Sequence, residues 1–540
     1  MSGFNKNVFG LLLFTLFTFT TLTASTYDVK KYGAVGDGKT LDTEAINKTI
    51  DEASANGGGT VYFPAGTYLT VSIHLKSNIA LYLEQGARIL AADPKKGYKY
   101  DLPEDNPSDM YQDFGHTHWQ NSLIWGENLE NISILGPGLI DGDGLVAYPE
   151  EARSAEEQKA LEGKAPAGKT MGPFGHPSAA NAITDGYGNK AIALKLCRNV
   201  TLKDFTILRG GHFAILATGV DNFTIDNLKI DTDRDGMDID CCSNVRVSNC
   251  TVNSPFDDGI CLKTSYGLGY KKATENVTIT NCFVSGYDVG TVLDGTYKRE
   301  YDKFGYNSPT GRIKFGTESN GDYKNITISN CVFEYCRGLA LETVDGSNLE
   351  DVTITNITMR DIGNSPIFLR LGRRMRGPDG VPVGNLRRVI ISNVVIYNAV
   401  PKHSVLIVGL PEKDIEDVLL DNIKIYYKGG GTKEQSVIDP PEDETRYPEP
   451  DRFGTMPAYG FFIRHVNGIK MNNIDVSYMN DDMRPPFILD DVKKAELNFI
   501  DAQHETGIPT FILKNVKDFT LFKCKSLEDT HIESVDKKSL

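Results

Sequence analysis

The sequence predicts a parallel β-helix: short β-branched strands wound into stacked coils, with one small helix over the N-terminal end. A recurring five-residue strand motif and the lack of helix-length segments between its copies carry this reading, and the spacing of the copies excludes a rival all-β fold. The motif appears as FTIDN (223–227), VRVSN (245–249), VTITN (277–281), ITISN (326–330), VTITN (352–356), VIISN (389–393), VLLDN (418–422) and IKMNN (469–473). Within each copy the apolar residues alternate with polar ones, the two-residue period of a strand. Second strands follow some copies, as in GICLKT, FAILAT, LALETV and PIFLRL. The closing asparagines stand 22, 32, 49, 26, 37, 29 and 51 residues apart. A minimum step near 22, lengthened irregularly, describes one coil with loops inserted at a preferred corner. A β-propeller would need regular blades of roughly 40 residues.

A solenoid needs its open end covered. Residues 41–59, LDTEAINKTIDEASANGGG, supply Asp42 as N-cap, apolar positions Ala45, Ile46 and Ile50, and a triple-glycine stop, so a short amphipathic capping helix is expected here. Two stretches, 144–190 and 428–456, are expected as loop insertions framing a cleft rather than as domains. The whole of 26–540 then forms a single β-helix domain.

Residues 1–25 read as a secretory signal peptide: Lys6, an apolar run from Val8 to Leu22, then small residues around Ala24. Export to the periplasm or medium is expected, with no membrane association after signal removal. The formal charge of −15 argues against nucleic acid and anionic membranes as partners. Nothing in the sequence sets an oligomeric state. The nine cysteines are odd in number. Cys250, Cys282 and Cys331 each follow an asparagine, as equivalent buried positions of a repeat would, while a bridge involving Cys241 or Cys242 stays open.

The chemistry concentrates in two acidic segments, DTDRDGMDIDCC (231–242) and SPFDDGICLKT (254–264). Asp257 and Asp258 alone would pass for turn residues. Asp235, however, precedes Asp257 by 22 residues, one minimal coil, so the three carboxylates are expected at one azimuth on the outer face. Stacked like charges raise the pKa of at least one member. Glycoside hydrolysis uses such a set, one carboxyl protonated to donate to the leaving oxygen and one ionised to activate water. A calcium site is the rival reading, with Asp233, Asp238 and Asp240 as further ligands.

At these residues the chain resembles the polygalacturonase family, glycoside hydrolase family 28, over almost all of its mature length. YDVKKYGAVGDGKTLDTEAI resembles the opening of bacterial pectin-degrading β-helix enzymes, ILGPGLIDGDG the family's early coil, RDGMDID its TDGID motif, and FDDGICLK its DDCIAIK motif. The resemblance implies a right-handed, pectin lyase-like coil and an inverting hydrolase of α-linked galacturonic acid in a pectic polysaccharide or oligosaccharide, without cofactor or metal. It implies Asp257 as general acid, with Asp235 and Asp258 holding and activating water. The family also has a GHG and then a RIK motif. Arg312-Ile313-Lys314 is a literal RIK, but FGTESNGDYKNITISNC after it resembles the segment that follows GHG. In that second, preferred register the histidine is missing, Ala340 and Glu342 replace the basic pair, and GYDVGTVLDGTYKRE forms an extra coil. Such a loss suits a neutral sugar such as rhamnose on the leaving side as well as homogalacturonan.

Candidates for binding the substrate are Arg312 and Lys314, Arg370 and Arg373 of the basic IFLRLGRRMRG segment, His212 one coil before Asp235, and Trp119 as an aromatic sugar platform. Zinc ligation by His116 and His118 lacks a third ligand. Exo action is expected if the insertions close one end of the groove. The alternatives are a calcium-dependent pectate or rhamnogalacturonan lyase on the same scaffold, and a non-catalytic glycan-binding β-helix.

Overall fold

The computed structural model describes residues 25–111, 115–147, 186–300 and 309–540. The signal-peptide segment 1–24 and most of the 144–190 insertion lie outside these residues. Among them, 34 strands join in one continuous sheet that winds as a solenoid. The ladders are parallel throughout, except that the last strand, Thr530–Ser539, turns back antiparallel to Phe511–Phe522.

The repeated motif explains the winding. The inward residues Ile225, Val247, Ile279, Ile328, Ile354, Ile391, Leu420 and Met471 form one column along the axis and are buried to within 1%. Each such side chain contributes roughly 1.5–3 kcal/mol by leaving water. Every closing asparagine of the motif adopts a left-handed conformation with φ between 53° and 59°, which its short polar side chain tolerates better than most residues. Their amides hydrogen-bond from coil to coil, Asn356 to Asn330 at 3.0 Å, Asn422 to Asn393 at 2.7 Å and Asn473 to Asn422 at 2.9 Å. All nine cysteines are free and buried, so no bridge forms at Cys241 or Cys242.

Helix α1 (Thr43–Ala55) buries Ile46, Ile50 and Ala53 against the first coil. Asp42 sits at its N-cap position but makes no capping bond; its carboxylate accepts from the backbone N–H groups of Val35 and Gly36 at 2.7 and 3.0 Å.

Six successive strands carry the site: β1 (Phe213–Thr218), β2 (Asp235–Asp240), β3 (Ile260–Thr264), β4 (Ile313–Ser319), β5 (Leu339–Thr343) and β6 (Ile367–Leu371). Each pairs in parallel with the next. The direct β3–β4 pairing corrects one expectation from sequence, the extra coil between Asp258 and Arg312, and leaves Arg312 and Lys314 one coil ahead of the Ala340/Glu342 position, as the preferred register orders them. The described residues between Ser285 and Ile313 contain no strand, and Phe283–Ser285 pairs directly with Val332–Glu334. The stretch expected as an extra coil is therefore an excursion from a single one. Arg312 and Lys314 fall on the coil immediately after Asp258, with Ala340 beside Lys314 on the following one.

Candidate active site

The acidic turns are joined rung to rung by backbone bonds. Gly236 N–H donates to the Asp258 carbonyl at 3.0 Å, Phe256 N–H to Asp233 at 3.1 Å, and Gly259 N–H to Arg312 at 2.8 Å. The first contact needs glycine, because a Cβ at Gly236 would lie 2.4 Å from the Gly259 carbonyl oxygen. This stacking brings one carboxylate oxygen each of Asp235, Asp257 and Asp258 within 4.8 Å of one another. The one-coil spacing seen in the sequence places them as expected.

Their environments differ. Asp235 is buried, and its Oδ1 has no hydrogen-bond partner. Burial, reinforced by the charges of Asp238 and Asp257, pushes its carboxyl well above the usual range. Asp258 is equally buried, yet receives Arg312 Nε at 2.7 Å and Lys314 Nζ at 3.2 Å. Burial alone would raise it; the two cations outweigh that and hold it well below the ordinary carboxylate value. Asp257 keeps 24% of its side chain exposed and pairs with Arg234 at 2.5 Å. The cluster thus combines a carboxyl that retains its proton with a carboxylate that does not, the division acid–base hydrolysis requires.

His212 stands behind Arg234. Its Nδ1 donates to the Ala147 carbonyl at 2.9 Å, which leaves Nε2 as an acceptor facing Arg234 at 3.5 Å. Burial and the arginine charge keep it neutral. It borders the cluster through Arg234. On the other side Lys263 joins Asp238 at 3.0 Å and Glu318 at 3.3 Å. Burial would depress this lysine; Asp238, Asp235 and Glu318 overcome it and hold it charged. The three clustered carboxylates are therefore ringed by Arg234, Arg312, Lys314 and Lys263. Residues able to hold a cation are present, but their charge is already matched by side chains.

Several sequence candidates do not line the site. Trp119 is fully buried in an apolar cluster with Ala193, Phe213 and Leu216, its Nε1 donating to Thr218 at 3.1 Å, so it offers no face to a sugar. Arg370 is buried and spends its guanidinium on the carbonyls of Gly409, Glu442 and Asp443, tying down the 428–456 loop. Arg373 pairs with Glu412 and Glu444 of neighbouring loops. Arg374 and Arg376 are drawn to Asp345 and Glu318. The basic segment thus spends its charge on structural contacts, backbone carbonyls for Arg370 and carboxylates for Arg373, Arg374 and Arg376. Arg312 and Lys314 do reach the cluster, but as buried partners of Asp258 rather than as an open surface. His116 and His118 turn to different acids, Asp238 at 2.8 Å and Asp109 at 3.2 Å.

Sequence reading missed Arg234, Lys263, Tyr447 and Glu449. Arg234 and Lys263 lie within the two acidic motifs and were open to recognition by position. Glu449 and Tyr447 come from the 428–456 loop: Glu449 meets Arg312 at 2.7 Å and Arg337 at 3.1 Å, and the Tyr447 hydroxyl lies 3.2 Å from Lys314 Nζ. No local signal marks them. On the N-terminal side a cavity of ≈ 300 Å³ opens between Lys95, Asp143, Tyr187, Arg209 and Asp233.

Comparison with known proteins agrees with this geometry. Residues 179–268 match the family model for a right-handed β-helix region, and residues 26–87 match that for rhamnogalacturonase A/epimerase, pectate lyase-like proteins. A probable polygalacturonase of Vitis vinifera is 27% identical over 409 residues, 68% of this chain and 73% of that protein. An exo-poly-alpha-D-galacturonosidase of Dickeya chrysanthemi is also 27% identical, over 65% of this chain and 53% of its own length. The chain is thus a polygalacturonase-like glycoside hydrolase. The structure of a family 28 exopolygalacturonase from Yersinia enterocolitica shares this fold with a TM-score of 0.62 at 18% identity, covering 88% of this chain and 78% of the other.

Proposed function

We propose that this protein is an exported, inverting hydrolase that cleaves α-galacturonosidic bonds in pectin and acts from a chain end. The observation that carries the reading is the convergence of Asp235, Asp257 and Asp258 with opposed electrostatics. Asp258, fixed as an anion by Arg312 and Lys314, holds and activates water together with Asp235. Asp257, the most open of the three, donates to the leaving oxygen. In the free protein burial keeps the proton of the cluster on Asp235 while Arg234 is paired with Asp257; substrate entry that draws Arg234 away frees Asp257 to receive that proton and pass it to the leaving oxygen. The cluster titrates as a unit. Its oxygen separations, within 4.8 Å, are shorter than the roughly 6.5–9.5 Å usual between the carboxyls of inverting enzymes. The anomeric form of the first product therefore decides: a β-anomer from the α-bond supports inversion, an α-anomer overturns it.

Chain-end action draws support from the relative named an exo-galacturonosidase and from the 428–456 loop, which is folded over one flank. Release of monomeric galacturonic acid from oligogalacturonides supports it; a ladder of intermediate sizes overturns it. A lyase would instead give an ultraviolet-absorbing unsaturated end and stop with chelator. A purely glycan-binding protein would be indifferent to Asp257→Asn. Export accords with the signal-like N-terminus, and no helix among the described residues is long and apolar enough to cross a membrane.

A further inference from the structure

The C-terminal flank of the acid cluster already contains a carboxylate where a uronate would look for its cation. Arg312 is only 2% exposed. Its Nε faces Asp258, and its Nη2 is taken by Glu449 at 2.7 Å. The other oxygen of Glu449 accepts from Arg337 at 3.1 Å. Lys314, also buried, lies between Asp258 and Glu342 at 3.2 and 3.6 Å, with the ring of Tyr447 5.2 Å from its ammonium. Three carboxylates, Asp258, Glu342 and Glu449, thus meet three cations, Arg312, Lys314 and Arg337. The donors that Arg312 and Arg337 turn to this flank are taken by Glu449, so an incoming carboxylate would have to displace it. Glu449 still has 17% of its side chain and Arg337 21% exposed, so this flank faces the groove while its buried charges do not.

We propose that Glu449 is a specificity-determining residue: its carboxylate occupies the arginine pair beside Asp258, closes this flank to an acidic sugar and leaves it to a neutral one. The inference rests on the hydrolase reading above and narrows its substrate to galacturonate α-linked to a neutral sugar, a deoxyhexose such as rhamnose. Glu449 touches no reacting atom; it sets what may lie next to them.

The test compares kcat/KM of the full-length protein on a galacturonosyl-rhamnose oligosaccharide and on trigalacturonate. Wild type is expected to favour the first by about tenfold or more, the size of one lost charged contact. Glu449→Gln is expected to raise kcat/KM on trigalacturonate about tenfold and to change the neutral-flank substrate by less than about threefold. Glu449→Asp, which keeps the charge, should retain the wild-type preference and separates loss of charge from loss of fold. An unchanged ratio in a Glu449→Gln protein that melts like wild type overturns the proposal. Cleavage of neither substrate by wild type sinks the hydrolase reading instead. The inference is then decided by calorimetric titration with galacturonate and galactose: gain of galacturonate affinity in Glu449→Gln upholds it, no gain defeats it.

Discussion

The two flanks of the acid cluster carry similar side chains in different states. On the N-terminal side Lys95 is exposed and Arg209 has 38% of its side chain open, beside a cavity that runs to Asp233. On the C-terminal side Arg312 and Lys314 are sealed under Tyr447 and Glu449, their charge spent on three carboxylates. Arginine and lysine attract a uronate only while their donors remain unsatisfied and reachable; burial among acids turns the same residues into electrostatic controls on a neighbour. Under the proposed reading the N-terminal flank, where Lys95 stays exposed and Arg209 is only half-covered by Asp141 and Asp143, receives the galacturonate, and the C-terminal flank sets the ionisation of Asp258.

Removing the centre gives the largest effect. Asp257→Asn should lower kcat by about 10²–10⁴ with little change in melting temperature, measured on any oligosaccharide that wild type cleaves; unchanged activity would end the catalytic reading of both flanks. On the N-terminal side, Arg209→Met should cost about 1.5–3 kcal/mol in kcat/KM for a uronate substrate, the worth of a charged hydrogen bond, mainly through KM. Arg209 also pairs with Asp141 at 2.8 Å, but Arg88 remains to hold that acid, so the fold should survive. On the C-terminal side, Lys314→Met should act through Asp258. With one of its two cations gone, that carboxylate protonates more easily, and the acid limb of the kcat profile should move up by about one pH unit, a tenfold change in ionisation. If both variants altered KM alone, the contrast between the flanks would be wrong.

A subtler difference separates the flanks in stability. Burial outweighs Lys314 and Arg312 at Glu342 and pushes its carboxyl up to about 7. A folded-state value above the unfolded one contributes stability that is full below the ordinary glutamate range and is lost as pH rises through about 7. Glu342→Gln should therefore flatten the fall of melting temperature between pH 5 and 8, read by a thermal scan at each pH. The smallest effect is expected at Arg373, whose exposed pairs are worth about 0–1 kcal/mol; Arg373→Ala should leave kcat and KM unchanged.

Residues that act through their neighbours in sequence were legible; those that act through contacts across the fold were not. The alternating motif and its closing asparagines disclose the coil, because strand period and left-handed corners are local properties. The 22-residue offset discloses the triad for the same reason, since one coil of backbone returns the chain to the same azimuth. Trp119 and Arg370 misled because residue type announces chemistry but not accessibility: one is packed into an apolar cluster, the other bonded to carbonyls of a distant loop. The expected extra coil failed because loops of any length can leave a corner without adding a rung, so the length between two motifs does not count coils.

The sequence by itself determined the solenoid, the column of buried aliphatic residues and the alignment of Asp235 with Asp257 and Asp258, because each follows from short-range periodicity. The tertiary structure alone decided which carboxyl keeps its proton and which cations are free, because those depend on burial and on partners such as Glu449, which lies 137 residues beyond Arg312 and meets it only when the 428–456 loop folds back over the coils.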